Sequence, residues 1–423
     1  MKYYRFPDTK LFKVGFFLFL LILQMITRSA MIPSAFNIFY PTYFATIGLI
    51  FVFGILFLVV NRKQLKAIFT DRRMIAVIGI VVLLLVLMVV KQDYQAIYFS
   101  IMLYMLFAVF LSYFMPMQEV AAYYVALMLL LSIWTLVGTF VLKPLVEAGF
   151  ITCHTFKAIN GWSMYNFGLT FTSYLNDAQV ETMRAFGVFR EPGLFQIFLF
   201  IAIQLNNYTL SWKKDWQMWA ANAVLFATLL VTFATGGVLA LGLYIVFLFF
   251  DKGLYKNKWI CLAAIICVAA GIVLVVISLM RGGVLAVELM GMAEKLFTDN
   301  ESIRDRVGSI FVNAEHFLNH PLVGEKVSTV VYSIASNTAS SAIMFAAFGV
   351  FGGCLHVATW VALAWKKERS ILMNLVLLVI LFLPFNTQNV IHDLFFWLFP
   401  VMALVEKGLP LLENRACILR KKV

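Results

Sequence analysis

The residues best suited to chemistry lie in one short stretch, Gly187 to Gln196, which reads Gly-Val-Phe-Arg-Glu-Pro-Gly-Leu-Phe-Gln. Pro192 favours the first position of a helix, where its missing N–H would have no partner anyway. The helix is therefore predicted to begin at about Glu191, with Arg190 just outside it. A helix N-terminus attracts anions, and an adjacent arginine adds a forked donor for phosphate. The stretch is thus half of an anion site, although Arg190 and Glu191 could equally be an interfacial anchor and a cap.

Other residues that could bind phosphate or move a proton flank this stretch. The arginines are Arg184, Arg304 and Arg306, and the candidate acids, bases and substrate contacts are Glu191, Asp305, His154, His316, His320, Asn337, Thr338 and His392. A base must take the proton of an attacking hydroxyl, and the sequence does not choose among these, although a histidine such as His392 is more often simply hydrogen-bonded into a bundle. No Cys/His cluster predicts a metal site and no G-x-x-x-x-G-K-[ST] loop predicts bound nucleotide, so we expect no cofactor.

Composition places these residues in a membrane protein. Of the 423 residues, 63% are hydrophobic and 13% charged, whereas soluble domains are about half apolar and about a quarter charged. The net charge of +12 is spread between apolar runs rather than gathered on a soluble domain, which argues against a nucleic-acid partner. Only one of the five cysteines, Cys153, lies in a long polar loop, so no disulfide framework is expected.

We predict an all-α polytopic membrane fold of about twelve transmembrane helices. The spans fall at about 11–27, 39–60, 74–90, 95–115, 119–142, 191–210, 216–234, 236–251, 258–280, 338–364, 370–386 and 389–406. The first is expected to be a retained span rather than a signal peptide, because Arg28 follows it and no A-x-A site does. With the N-terminus inside, 22 of the 33 Lys and Arg fall in inside segments, so both termini are predicted to be cytoplasmic.

Two outer loops are too long to be simple connections. The chain thus divides into a five-helix transmembrane portion (1–142), a first periplasmic loop (143–190), transmembrane helices 6–9 (191–280), a second periplasmic loop (281–337), transmembrane helices 10–12 (338–406) and a basic cytoplasmic tail (407–423). Aromatic residues in the first loop, including Trp162, Tyr165 and Phe171, are typical of an interfacial belt but could equally stack on sugars.

The second loop contains the pattern of an amphipathic helix. Its apolar stripe consists of Ile303, Val307, Ile310, Phe311, Ala314, Phe317 and Leu318. Arg306 and Asn313 lie along one border of the stripe, and His320 continues that line, while Arg304 lies on the opposite border. Pro321 should end the helix. Such a helix can lie in the membrane interface with its apolar face down, or it can be a surface helix with solvated charges.

Three short motifs carry a resemblance to a known family. The first is the stretch from Gly187 to Gln196, which is similar to G-x-F-R-E-P-G-x-F. The second is the turn from Thr232 to Gly237, and the third is Arg306 followed by Pro321 to Gly324. In order and spacing they resemble the O-antigen polymerase and O-antigen ligase superfamily of bacterial membrane glycosyltransferases, and its polymerase branch more than its ligase branch. The match runs from about Ala185 to Gly353, whereas the N-terminal third is similar only in its spans.

One position departs from the ligase pattern. Ligases of the superfamily carry H-[NS]-x9-G-x-x-G at the start of the span after the second loop. Counting back from Gly349 and Gly352 places Thr338 where the ligases have the histidine, and Ser336-Asn337 just before it. The resemblance therefore favours the polymerase branch.

The resemblance implies a GT-C-like, metal-independent glycosyltransferase of the bacterial inner membrane. It would join oligosaccharide repeat units carried on undecaprenyl pyrophosphate into O-antigen of lipopolysaccharide or capsule at the periplasmic face. By position, Arg190 and Arg306 would bind the pyrophosphate, with Arg184 and Arg304 as further contacts, and Glu191 would orient Arg190 or act as the base. Membrane lipid and a protein that regulates chain length would be partners.

Two other classes remain open. An O-antigen ligase would transfer the glycan to lipid A core, which the threonine at position 338 disfavours. A lipid-linked oligosaccharide flippase or other transporter would suit twelve spans. Transporters, however, place polar groups near the midplane in broken helices of two matching halves, whereas this chain concentrates its polarity in two outer loops.

Overall fold

The computed structural model describes residues 9–35, 38–60, 65–158, 161–176, 179–297, 301–333 and 337–408. Most of the predicted basic tail lies outside these residues. Helices dominate the described parts. They are α1 (Lys10–Ile26), α2 (Met31–Ala35), α3 (Phe39–Val60), α4 (Leu65–Phe69), α5 (Arg72–Val90), α6 (Ala96–Ser112), α7 (Met117–Val137), α8 (Lys143–Glu147), α9 (Pro192–Tyr208), α10 (Asp215–Val231), α11 (Thr235–Asp251), α12 (Lys258–Arg281), α13 (Val284–Phe297), α14 (Glu301–Asn319), α15 (Val327–Tyr332), α16 (Ser340–Ala364), α17 (Ile371–Phe385) and α18 (Leu394–Ala403).

A helix lies at each predicted span, so the apolar runs are confirmed as helices. Among the described residues, four helices are long and apolar enough to cross a membrane: Arg72–Val90, Met117–Glu147, Lys258–Arg281 and Ser340–Ala364. Shorter apolar helices are Pro41–Leu56, Ala96–Ser112, Thr235–Asp251 and Ile371–Phe385. The molecule is therefore a helical membrane protein, while the count of twelve crossings stays a prediction.

The helix ends separate into two sets. At one end of the bundle, Ser29 Oγ donates to Asp393 Oδ2 (2.5 Å), which joins the end of α1 to the segment before α18. At the opposite end, Arg369 Nε lies 2.6 Å from Asp251 Oδ1. Between the ends runs α9, the central helix, in which every side chain from Leu194 to Asn207 is buried.

One of the four long helices is broken. Gly349 of α16 has φ +64° and ψ −162°, so arms 340–348 and 350–364 meet at a sharp bend. Ser341 Oγ and His356 Nε2, one on each arm, lie 3.3 Å apart, whereas a straight helix would separate residues fifteen apart by about 22 Å. Thus α16 is a folded-back helical hairpin rather than one straight span.

The segment Pro321 to Gly324 fits into this bend. Pro321 O accepts from Val350 N (2.8 Å), and Glu325 N donates to Ala346 O (2.8 Å). A Cβ on Gly349 would lie 2.3 Å from Leu322 O. The break frees backbone groups of α16, and the second loop satisfies them, which gives the third sequence motif a structural role.

Lys91, just after α5, holds the same bend from the other side. Its Nζ donates to Ala347 O (2.7 Å) and Glu325 O (3.0 Å). Asp93 accepts from the amides of Val327 and Ser328 at the start of α15. The connection between α5 and α6 therefore fastens the second long loop to the bundle.

The first long loop folds as a small sheet that the helical patterns did not predict. Strands β1 (His154–Lys157), β2 (Ser163–Asn166), β3 (Phe171–Leu175) and β4 (Ala185–Gly187) form an antiparallel meander in chain order. Its buried face consists of Phe156, Trp162, Met164, Phe171 and Phe186, together with Met31 after α1. Much of the aromatic content of this loop therefore forms the core of the sheet.

The amphipathic helix of the second loop is confirmed as α14, which ends before Pro321. Its polar face packs inward, because Ser309 and Asn313 are buried. On its apolar stripe, Phe311 is 70% and Leu318 73% exposed, while Phe317 packs against Phe345 at 5.7 Å between ring centroids. The exposed stripe is the orientation that an interfacial helix requires.

Candidate active site

Residues of all three sequence motifs line one pocket of about 280 Å³, to which the third motif contributes Arg306 alone. It is lined by Trp162, Arg184, Phe186, Glu191, Pro192, Gly193, Gln196, Phe233, Ala234, Thr235, Gly236, Arg306 and Gln388. The lining comes from the sheet, the starts of α9 and α11, α14 and the segment between α17 and α18. Residues far apart in the chain therefore form one polar cavity at one end of the bundle.

The start of α9 supplies the first anion-binding element. Glu191 is the N-cap, with extended backbone and no side-chain cap bond, and Pro192 follows at the first helical position, as predicted. Gly193 allows a close approach, because a Cβ there would lie 2.7 Å from Gln388 Nε2. Gly187 has φ +57° and a Cβ there would lie 2.7 Å from the Phe195 ring. The glycines of the first motif therefore bring the helix start against its neighbours.

The start of α11 supplies the second anion-binding element. Phe233 has φ +47°, a strained conformation for a bulky residue that turns the chain into the helix. Ala234 is the N-cap and makes no side-chain cap bond. A Cβ on Gly236 would lie 2.8 Å from Thr387 Cγ2, so only glycine fits here without movement. Two uncapped helix N-termini thus face one cavity, and each favours an anion.

Of the two arginines that line the pocket, Arg306 is the one without a partner among the described residues. It is half-buried on α14 and makes no hydrogen bond or ion pair with the described residues. Burial lowers its pKa, nearby Glu191 raises it and Arg184 lowers it further, but a guanidinium remains charged in proteins. Its forked donors are therefore available to an anion in the pocket.

Arg184 also lines the pocket, but one of its donors is occupied. Its Nε donates to Glu288 Oε2 at 2.7 Å, and its guanidinium lies over the Trp162 ring at 5.3 Å from the centroid. Glu288, on α13, is 4% exposed and also accepts from Thr182 Oγ1. Arg184 is therefore held rigidly at the wall of the pocket, where it adds positive potential.

Arg190 lies beside the pocket and not in its lining. Its backbone N donates to Ser29 O (3.0 Å), and its Nε lies 3.8 Å from Glu191 Oε1. Its side chain is close enough to buried Asp393 for their charges to interact. Glu191 interacts electrostatically with both Arg190 and Arg306. The two predicted arginines therefore do not line the same pocket, but both lie near the Glu191 carboxylate.

The other predicted site residues lie elsewhere. Arg304 and His154 are exposed, and His320 Nε2 pairs with Glu325 Oε2 at 2.7 Å. Asn337 exchanges side-chain hydrogen bonds with Asn313 at 2.9 and 3.1 Å. None of these four candidates lines the pocket among the described residues. Asn337 therefore joins the end of the second loop to α14, and His320 stabilises the turn that follows that helix.

Thr338 and His392 are also outside the pocket lining. The Oγ1 of Thr338 is buried without a hydrogen-bond partner in the described structure. His392 lies in the segment between α17 and α18, and its Nε2 is buried without a hydrogen-bond partner in the described structure.

Several lining residues were not predicted from sequence. Gln196 Nε2 donates to Thr387 Oγ1 at 2.8 Å, and that hydroxyl donates onward to Pro384 O at 2.7 Å. Gln196 ends the first motif, which was the only sequence signal for this group. Phe233 lies within the second motif, whereas Gln388 carried no sequence signal, because its place in the site depends on how distant helices pack.

No family model, curated protein or solved structure matches this chain. The site must therefore be interpreted from its own geometry. Within the described residues, no three His, Cys, Asp or Glu side chains are grouped as metal ligands. The arrangement present is cationic, with two arginines and two helix starts around one carboxylate, Glu191.

Proposed function

We propose that this protein is a glycosyltransferase that polymerises oligosaccharide repeat units carried on undecaprenyl pyrophosphate into O-antigen or capsular polysaccharide. The observation that carries the proposal is the pocket in which Arg306, Arg184 and the N-termini of α9 and α11 surround one carboxylate, Glu191. A diphosphate leaving group needs this kind of positive potential, and a sugar hydroxyl needs a base.

The reaction transfers the growing glycan from its lipid pyrophosphate to a hydroxyl of a new repeat unit. The bond between the anomeric carbon and the phosphate oxygen breaks, and the acceptor oxygen forms the new glycosidic bond. Arg306 and the helix N-termini stabilise the negative charge that develops on the departing diphosphate. Glu191 accepts the proton of the acceptor hydroxyl, while Arg190 beside it stabilises the carboxylate.

The proposal includes placement in the bacterial inner membrane, with both termini cytoplasmic, twelve spans in a GT-C-like fold and the pocket at the periplasmic face. It is supported by the charge asymmetry of the loops and by the gathering of the predicted outside segments at the pocket end. A lipid-linked substrate at that face would already be activated and would need no nucleotide.

Reconstitution tests this function directly. The purified protein in liposomes is given lipid-linked repeat units, and the products are separated by size on a gel. We expect a ladder of longer glycans and stoichiometric release of undecaprenyl pyrophosphate. If the units cross the bilayer without being joined, the protein is a transporter, and if glycan moves only to added lipid A core, it is a ligase.

A further inference from the structure

An apolar face of α11 leads directly away from the pocket. Leu239, Leu243 and Val246 are 49%, 43% and 55% exposed. At 3.6 residues per turn they lie on the side of the helix that carries Thr235 and Gly236, which line the pocket. The opposite side is buried in the bundle. The exposed stripe therefore begins at the anion site and runs the length of the helix.

The neighbouring helix α12 leaves this stripe uncovered. Its 24 residues include none that is buried, so α11 and α12 do not pack against each other along their lengths. The short turn Leu254–Lys256 joins them at the far end. At the pocket end, Gly282 and Gly283, with φ of +69° and +93°, lead into α13.

The attachment of α13 connects this space with the pocket. Glu288 of α13 is buried and binds Arg184, which lines the cavity. The pair α12–α13 is therefore fixed at the pocket wall, while α12 stands away from α11. The exposed stripe thus leads from the polar cavity along a side of α11 that α12 does not cover, and we call Leu239, Leu243 and Val246 the α11 track.

We propose that the α11 track binds the isoprenoid tail of the lipid-linked substrate whose diphosphate occupies the pocket. This inference rests on the proposed function and adds the place of the hydrocarbon chain. An anion site continuous with an exposed apolar stripe is complementary to one class of molecule, an amphiphile with a phosphate head and a long hydrocarbon tail. A soluble sugar nucleotide has no hydrocarbon tail that could contact the stripe.

Photocrosslinking tests the track without requiring turnover. A diazirine-bearing residue replaces Leu243, and radiolabelled undecaprenyl pyrophosphate is added to the protein in liposomes. The matched control is the same residue at Leu375 on α17, which is 48% exposed and does not line the pocket. We expect labelling at position 243 at least about fivefold above position 375, and a fall to the control level when Arg306→Ala is added.

Equal labelling at both positions would mean ordinary bilayer contact and would overturn the inference. Labelling at position 243 that is unchanged by Arg306→Ala would do the same.

The dependence of KM on the length of the isoprenoid tail gives a second measurement. Leu243→Asn should raise KM several-fold for an undecaprenyl carrier and leave KM unchanged for a carrier of three isoprene units. If the protein polymerises repeat units but its KM does not depend on tail length in either the wild type or Leu243→Asn, the α11 track is refuted and the proposed function stands. Head-dependent crosslinking without polymerisation would keep the track and refute the function.

Discussion

Glu191 and Arg306 line the same pocket, yet they form no ion pair with each other. The charges interact through the cavity rather than neutralise each other by contact. Space therefore remains between them for a ligand that needs a cation on one side and a base on the other.

Replacing Glu191 should separate its chemical role from its structural one. Glu191→Gln keeps the size of the side chain at the α9 N-cap, where the carboxylate makes no cap bond. We expect kcat to fall about 100-fold or more because the proton acceptor is lost, with KM changed little. The check is steady-state kinetics on lipid-linked repeat units, and a variant with normal kcat would show that another group takes the proton.

The buried pair of Arg184 and Glu288 should contribute strongly to stability. Glu288→Ala leaves the 15%-exposed arginine without its partner, so unfolding should become easier by about 3 kcal/mol. Glu147→Ala is the control, since this carboxylate is 48% exposed and lies 3.7 Å from Lys143, where about 1 kcal/mol or less is expected. Thermal unfolding in detergent measures both, and equal shifts would refute the difference.

Gly349 should tolerate no side chain. Its φ of +64° is unfavourable for other residues, and a Cβ would lie 2.3 Å from Leu322 O. Gly349→Ala should therefore destabilise the protein by at least about 1–3 kcal/mol and release the Pro321–Gly324 segment. Gly242→Ala, where nothing lies within 4 Å, should change stability little. Limited proteolysis of the second loop reports the release, and its absence would contradict the docking described for the bend.

Lys91 should make stability depend on pH. Burial lowers its pKa to about 8, although Asp93 and Glu325 raise it. The folded chain therefore loses this proton near pH 8 and the unfolded chain near about 10.5, so the unfolded state binds more protons between those values. Stability from this group accordingly rises with pH across that window. Thermal midpoints at pH 7 and 9.5 should show a smaller alkaline gain in Lys91→Met than in the wild type.

The helices were predictable because the sequence contains long apolar runs and, in the second loop, apolar residues that repeat with the helical period of 3.6 residues. The start of α9 at Pro192 and the end of α14 before Pro321 followed from proline chemistry. The sheet in the first loop was missed because its strands are only three to five residues long, too short for alternation to stand out. The fold-back of α16 was missed because Gly349 lies within an otherwise continuous apolar run.

The candidate site was predictable only in part. Glu191 and Arg306 line the pocket as their motifs indicated, and Arg184 lines it as well, while Arg190 lies beside the pocket. Arg304 and Arg306 show the limit of sequence reasoning. These two arginines lie two residues apart on one helix, yet Arg304 is exposed and Arg306 is half-buried, because one face of the helix packs on α16. Which face packs depends on buried Asn313 and Asn337, a pairing across the fold that helical periodicity does not reveal.

Binding of pyrophosphate to the purified protein tests the central claim most directly. Calorimetric titration compares wild type with Arg306→Ala and with Arg304→Ala, an exposed arginine on the same helix. The account predicts saturable binding by the wild type, a loss of about tenfold or more in affinity for Arg306→Ala, and near-normal affinity for Arg304→Ala. If Arg306→Ala binds as tightly as the wild type, or if both variants lose affinity equally, the pocket is not the diphosphate site.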